Sequence, residues 1–208
     1  MKDKTPKLVK LLTVSITMVC LVTVIIGAVI ATDGKQLTYN PNLGETATAT
    51  KQSVNKYCTD VNKGNRELIR ANIDDIKTTI TFAKPLSEVE FLEFLNNYSI
   101  EVSILHARGL QPDGIRTGLS TIYDKTIIGE VKSDIERHGD TFIGFVSVNA
   151  YVDSKNLAML QKDPIVYLTD TSADDYFVGE EARSVTHHLT WVLEDLQVGD
   201  YAYSKFID

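Results

Sequence analysis

The chain is poor in the residues that usually advertise chemistry. It has two cysteines in 208 residues, and Cys20 sits inside an uncharged apolar run, which leaves Cys58 alone in the remainder. One thiol without a CxxC partner excludes an intrachain disulfide framework; it leaves an inert, weakly exposed thiol or an intermolecular bridge. The four histidines are no richer in pattern. His187 and His188 are adjacent, so on a helix they point about 100° apart and cannot share one metal, whereas a zinc site prefers i, i+4 spacing with a carboxylate. His106 and His138 have no partners in the sequence. There is no G-x-S-x-G elbow, no G-x-G-x-x-G and no Walker loop, which removes the ordinary serine-hydrolase and nucleotide-binding signatures. Ser53-x-x-Lys56 matches a Ser-Lys pattern but lies in a polar stretch without companion motifs. No cofactor is expected.

Positive charge is also scarce where it would matter. Residues 1–31 take four of the 21 Lys and Arg and one of the 28 Asp and Glu, leaving 17 basic against 27 acidic side chains and a net charge of −10 beyond residue 31. No Lys/Arg cluster follows, so a nucleic-acid footprint is excluded.

What is present is one long apolar run. Leu11 to Ala31 holds 21 residues and no charge, enough at about 1.5 Å per helical residue to cross a hydrocarbon core of roughly 30 Å. Lys2, Lys4, Lys7 and Lys10 precede it, and the first charge after it is Asp33. That asymmetry predicts a cytoplasmic N-terminus and an exported remainder, a single-pass protein of the cell membrane. The competing reading is a signal peptide cleaved near Ala31 and a secreted product, but signal h-regions usually run about 7–15 residues. Cys20 lacks the small residues that lipoprotein processing expects.

The rest reads as follows: residues 1–10 a basic end, 11–31 the membrane segment, 32–75 a spacer with short helices, 76–171 a folded domain, and 172–208 a tail. Gly34, Pro41, Gly44 and the Thr/Ala alternation mark the spacer. Val54, Tyr57 and Val61 share a helical face, Gly64 interrupts it, and Leu68, Ile69 and Ile73 resume it. Ile76, Thr78, Ile80 and Phe82 alternate with Lys77, Thr79 and Thr81, a half-buried strand. Ser87 and Glu90 form a capping box before a helix with Phe91, Leu95 and Tyr98 on its stripe, widened by Leu92. Ile100, Val102, Ile104 and His106 make a second strand, and Gly109 to Tyr123 is turn-rich, a surface loop. Ile128, Val131 and Ile135 mark a helix closed by Gly139. Val146, Val148, Ala150 and Val152 then face opposite to Phe145, Ser147, Asn149 and Tyr151. A short helix with Leu157 and Leu160 and a strand from Ile165 to Leu168 complete the domain. Two β-α-β units favour an α+β fold, a four-stranded sheet with helices on one face in the ferredoxin-like layout. A doubly wound parallel sheet is the rival.

At Thr79 to Glu90 (TITFAKPLSEVE) and at Phe142 to Asp170 the chain resembles the subtilisin-propeptide and proteinase-inhibitor family. The shared elements are a strand, a KPLS-like turn and helix, then Gly144-Phe145, Leu157 and Leu160, and Asp163-Pro164-Ile165-Val166. The likeness covers roughly Ile76 to Asp170 and departs from the family in about thirty residues inserted between Arg108 and Asp140. The resemblance implies a sheet surface that packs on a subtilisin-like protease. The residues after the last strand, Asp170, Thr171, Ser172, Ala173, Asp174, Asp175 and Tyr176, would then lie along its cleft by β-strand addition.

Asp170, Ser172, Asp174 and Glu181 also fall at positions 1, 3, 5 and 12 of a calcium loop, but position 6 is Asp175 instead of the glycine its turn needs. Glu180 to Leu196 reads as a helix with Ala182, Val185, Leu189, Val192, Leu193 and Leu196 on one stripe. It would pack on the open sheet face or join a partner. Three functions follow: a tethered, non-enzymatic, extracytoplasmic protein-binding module; an exported structural or assembly subunit that uses the 180–196 helix; and an exported hydrolase, which needs a pocket gathering His106 or His138 with a carboxylate.

Overall fold

A computed structural model describes residues 49–177 and 189–201. The chain divides into two compact units, 1–37 and 38–208, and every described residue falls in the second. The apolar run Leu11–Ala31 lies outside the described residues, and among those that are described no helix is long and apolar enough to cross a membrane.

Within the 32–75 segment, whose residues 32–48 lie outside the described residues, the expected short helices are one helix, α1 (Lys51–Ala71), of 21 residues. Thr50 and Ser53 cap it reciprocally, at 3.1 Å from the Ser53 amide to Thr50 Oγ1 and 2.9 Å from the Thr50 amide to Ser53 Oγ. Asn72, with φ 51°, ends it in the left-handed conformation. Gly64 does not interrupt it. Glycine in a helix interior costs about 1 kcal/mol, which tertiary packing overrides, and here Val54, Tyr57, Val61 and Leu68 are all buried along the helix.

After α1 come β1 (Ile76–Leu86), α2 (Glu88–Asn97), β2 (Glu101–Leu110), β3 (Arg116–Ile122), α3 (Ile127–Arg137), β4 (Thr141–Val152), α4 (Ser154–Leu160), β5 (Val166–Asp170) and α5 (Leu189–Asp195). They build an α+β fold around one five-stranded sheet in the order β3-β2-β4-β1-β5, with every neighbouring pair antiparallel. The doubly wound parallel sheet is therefore excluded, and the four-stranded expectation is corrected by one strand. The extra strand, β3, comes from the stretch read as a loop. Its Gly, Pro and Asp content belongs to a tight turn, where the Gln111 amide reaches the Ile115 carbonyl at 2.8 Å and Gly114 (φ 88°) donates to the Gln111 carbonyl at 2.9 Å. Past that turn, seven successive residues pair with β2 without a register shift. The helices α2 and α4 each join parallel strands separated by one antiparallel neighbour: β1 and β2 flank β4, and β4 and β5 flank β1.

Two irregularities decide which side chains face which way. Between Ser147 and Phe145, β4 spends two steps against one of β2, from His106 to Ala107. A bulge of this kind inserts an unpaired residue and reverses the alternation beyond it. Phe145 accordingly joins Val148, Ala150 and Val152 in the main core, and Val146 turns to the other face. That corrects the simple period-two reading of this strand. A second shift between Val102 and Ile104 puts Leu105 and Ala107 in the core in place of Ile104 and His106.

Each face of the sheet has its own core. On one side lie Ile80, Phe82, Phe91, Phe94, Leu105, Val131, Phe145, Val148 and Leu157, with Phe82 and Phe94 in edge-to-face contact at 5.0 Å. Leu92, expected on this stripe, is 45% exposed, and Phe94 takes its place. On the other side, α1 and α5 supply Val54, Tyr57, Val61, Leu189, Val192 and Leu193 against Val146 and Leu168. Burying apolar surface on both faces stabilises the sheet by about 25 cal/mol per Å² removed from water. It also explains why Thr79 and Thr81, read as the outer face of a half-buried strand, are almost fully covered.

Candidate functional site

The sheet ends at β3, and this edge differs from the other. The β5 edge is five residues long, preceded by Asp163-Pro164 and ending in Asp170. Natural edges are usually blunted in that way, by shortness, proline or charge. β3 reads Arg-Thr-Gly-Leu-Ser-Thr-Ile, and past Arg116 it has no charge, no proline and no bulge. Arg116 itself is occupied, with Nη1 at 3.1 Å from Glu194 Oε2 and Nη2 at 2.5 Å from Asp195 Oδ1. Ile122 at the far end is 80% exposed. Among the described residues nothing pairs with the outer side of this strand.

Strand alternation places Thr117, Leu119 and Thr121 toward α3, and Gly118 and Ser120 toward α5. Beside Thr117 and Leu119 a cleft of about 460 Å³ opens between the edge and the end of α3, lined also by Asp134, His138 and Asp140. Thr117 Oγ1 donates to Asp140 Oδ2 at 2.6 Å. On the α5 side Gly118 and Ser120 border a smaller cleft of about 210 Å³, with His106, Arg108, Val146, Ser147, Thr190 and Trp191 as its other walls.

This second cleft is built from register. Thr81 pairs with Ser147, Ser147 with His106, and His106 with Ser120, so a polar row crosses β1, β4, β2 and β3 on the α5 face. The 2.8 Å contact between His106 Nδ1 and Ser120 Oγ is therefore a cross-strand pair. Next along β2, Arg108 is 2% exposed and meets Glu194, 0% exposed, through Nε to Oε1 at 2.7 Å. Its Nη1 donates to the Thr117 carbonyl at 3.3 Å. Its guanidinium carbon stands 3.6 Å over the centroid of Trp191, with that of Arg116 at 5.2 Å. Such stacking of a partly desolvated guanidinium contributes about 0.5–2 kcal/mol. Gly118 makes the approach possible: a Cβ there would lie 3.0 Å from Arg108 Nη1 and 3.5 Å from Trp191. Ser147 and Thr190 are 3% and 4% exposed, line the cleft, and find no hydrogen-bond partner for their hydroxyls among the described residues.

The residues singled out from the sequence lie elsewhere. Asp170, Thr171, Ala173 and Asp174 are buried, Ser172 and Tyr176 half-buried, and Asp175 exposed. The segment is tied into the domain: Asp170 accepts from the Tyr57 hydroxyl, Thr171 Oγ1 donates to Asn65 Oδ1 at 2.5 Å, and Asp174 Oδ2 accepts from the Lys77 amide at 2.7 Å. The candidate calcium ligands Asp170 and Asp174 accept from the backbone amides of Ser172 and Tyr176, each at 2.9 Å, and Glu181 lies outside the described residues. Among the described residues no group of three or more His, Cys, Asp or Glu is placed to hold a metal. Cys58 is half-buried beside Tyr167, and burial pushes its thiol up to about 11, so it is protonated and unreactive at neutral pH. His187 and His188, with residues 180–188 of the helix expected over 180–196, lie outside the described residues. The remainder, α5, buries Leu189, Val192 and Leu193 against the sheet.

Sequence reasoning missed the edge strand and the cleft. The usable signals were the alternation of Thr117, Leu119 and Thr121 beyond a Pro-Asp-Gly turn, and the polar alternates within otherwise apolar strands. The chain finds no significant match among family models, curated proteins or solved structures.

Proposed function

We propose that this chain is a membrane-tethered, extracytoplasmic protein-binding module that takes an extended segment of its partner along β3. The tether and its orientation rest on the uncharged run Leu11–Ala31 behind four lysines. The single observation that carries the binding mode is the regular, uncharged edge of residues 117–122. Main-chain pairing to an open edge gives affinity, and pockets under alternate side chains give selectivity; here clefts border both faces of the strand. The β1-α2-β2 and β4-α4-β5 units are read as a ferredoxin-like core to which β3 is appended as a docking strand.

A subtilisin-like protease is the partner class that the resemblance suggests, and slowing of such an enzyme by the full-length chain tests that version. Two facts weigh on how it would bind. The sheet face opposite α2 is already covered by α1 and α5, and residues 170–174 are held by Tyr57, Asn65 and Lys77. A protease would therefore meet β3 first. The assembly-subunit reading loses ground because Leu189 and Leu193 are 5% and 0% exposed in the chain's own core.

The test is site-specific photo-crosslinking in the producing cells, from Ile122 beside the edge and from Val89, 65% exposed on α2, as control. The proposal requires an adduct from Ile122 that maps to one extended segment and disappears with Ser120→Lys at unchanged stability. Equal adducts from both positions, or persistence in the lysine variant, would refute it.

A further inference from the structure

The 210 Å³ cleft opens between α5 and the sheet. Ser147 and Thr190 are nearly covered residues that line this space, and their hydroxyls have no partner among the described residues and are not sealed from water. The hydroxyls come from β4 and α5, and β2 adds Arg108, whose Nε and Nη1 are engaged by Glu194 and Thr117 while Nη2 makes no hydrogen bond among the described residues. Donors thus converge from three elements.

We infer that this cleft binds a carboxylate, supplied by an Asp or Glu side chain or by the C-terminus of the segment laid along β3. The inference rests on the edge reading for the source of the carboxylate, but not for its chemistry. A planar group with two acceptor oxygens matches two hydroxyl donors beside a guanidinium. Arg108 and Arg116 are already paired with Glu194 and Asp195, so a bound anion is held by hydrogen-bond donation and not by surplus positive charge, and a phosphate dianion costs more to desolvate there than a carboxylate. Val146 and Trp191 give the short aliphatic stem of an acidic side chain an apolar wall. Gly118 and Ser120 belong both to the cleft and to the edge strand, so a residue of an added strand facing α5 would direct its side chain there.

Trp191 is the only tryptophan, which makes its emission a specific reporter. Full-length protein in mild detergent would be titrated with propionate, propionamide, inorganic phosphate and chloride at matched ionic strength. The inference requires a saturable change with propionate and none with the other three. Ser147→Ala and Thr190→Val should each weaken binding about fivefold, the loss of one hydrogen bond, with the unfolding midpoint retained. An equal response to propionamide, chloride or phosphate, or no response to propionate, would overturn it.

The source is read with three pentapeptides: one with a central Glu and blocked ends, the same with Gln, and the Gln form with a free C-terminus. Tighter binding of the Glu peptide assigns a side chain, and tighter binding of the free-ended peptide assigns a terminus. Equal binding of all three overturns the inference. Propionate has no backbone to pair, so silence toward it while the β3 edge still captures a partner defeats this inference and leaves the edge reading standing.

Discussion

Arg108 on β2 and Glu194 on α5 are 86 residues apart in sequence and 2.7 Å apart in space, with side chains 2% and 0% exposed. Their pairing fixes the C-terminal helix to the sheet at the point where β3 begins. Replacing a buried pair by apolar residues is often neutral, whereas removing one member leaves an uncompensated charge and costs about 3–5 kcal/mol. Glu194→Ala should therefore lower the unfolding free energy by roughly that amount, and Arg108→Met combined with Glu194→Leu by less than Glu194→Ala alone. Urea unfolding followed by Trp191 emission reads both, and a double variant weaker than the single one would show that the pair is not the source of the loss.

Ser87 caps α2 through the Glu90 amide at 3.3 Å, and Glu90 Oε2 returns to the Ser87 amide at 2.9 Å. Ser87→Ala should cost about 1 kcal/mol. Lys84 and the Ser87 groups hold the Glu90 carboxyl down at about 2 against an ordinary 4.5. A carboxylate with a depressed folded pKa contributes stability that is present above 4.5 and lost as pH falls through about 2. Glu90→Gln should flatten that acid limb in a pH series of unfolding curves, modestly because the group is exposed and screened. Parallel curves would contradict the assignment.

Asp174 has the opposite sign. Burial, the largest cause, raises its pKa above 3.8 even though the Tyr176 and Lys77 amides oppose the shift. The ionised form is then the costly one, so this group's contribution falls as pH rises through its pKa. Asp174→Asn carries a fixed offset from losing one acceptor, but its stability relative to the natural chain should increase as pH rises from below 3.8 toward neutrality. Calorimetric midpoints across that range decide it, and a constant difference would contradict the burial argument.

Gly144 and Gly129 separate packing from propensity. At Gly144, φ is +147° and a Cβ would stand 2.7 Å from the Leu86 carbonyl oxygen, a backbone atom that cannot move aside. Gly144→Ala should lose about 1–3 kcal/mol. Gly129 in α3 has nothing within 4 Å, so Gly129→Ala should gain up to about 1 kcal/mol from helix propensity. Equal effects in chemical denaturation would contradict the account of both sites.

Much of this fold was legible where local chemistry and burial agree. The Ser87–Glu90 box, the α3 stripe of Ile128, Val131 and Ile135, and the closing Gly139 all follow from spacing alone. The misses share a cause, in that the deciding contact lay far along the chain. Gly64 reads as a break until β5 and α4 pack against α1. Val146 reads as sharing the face of Val148 until the β2 register inserts a bulge. Residues 116–122 read as loop until β2 offers a ladder. The cleft was hidden for the same reason, because Ser120, His106 and Ser147 are 14 or more positions apart and become neighbours only through strand pairing.

Whether the outer edge of β3 is open can be read by amide hydrogen exchange on the full-length chain, without knowledge of the partner. In an edge strand alternate amides point to the neighbouring strand and outward, so residues 117–122 should divide into slowly exchanging amides bonded to β2 and rapidly exchanging amides between them. Uniform protection along the strand would mean that the edge is already filled by the protein itself, and the docking account would fail.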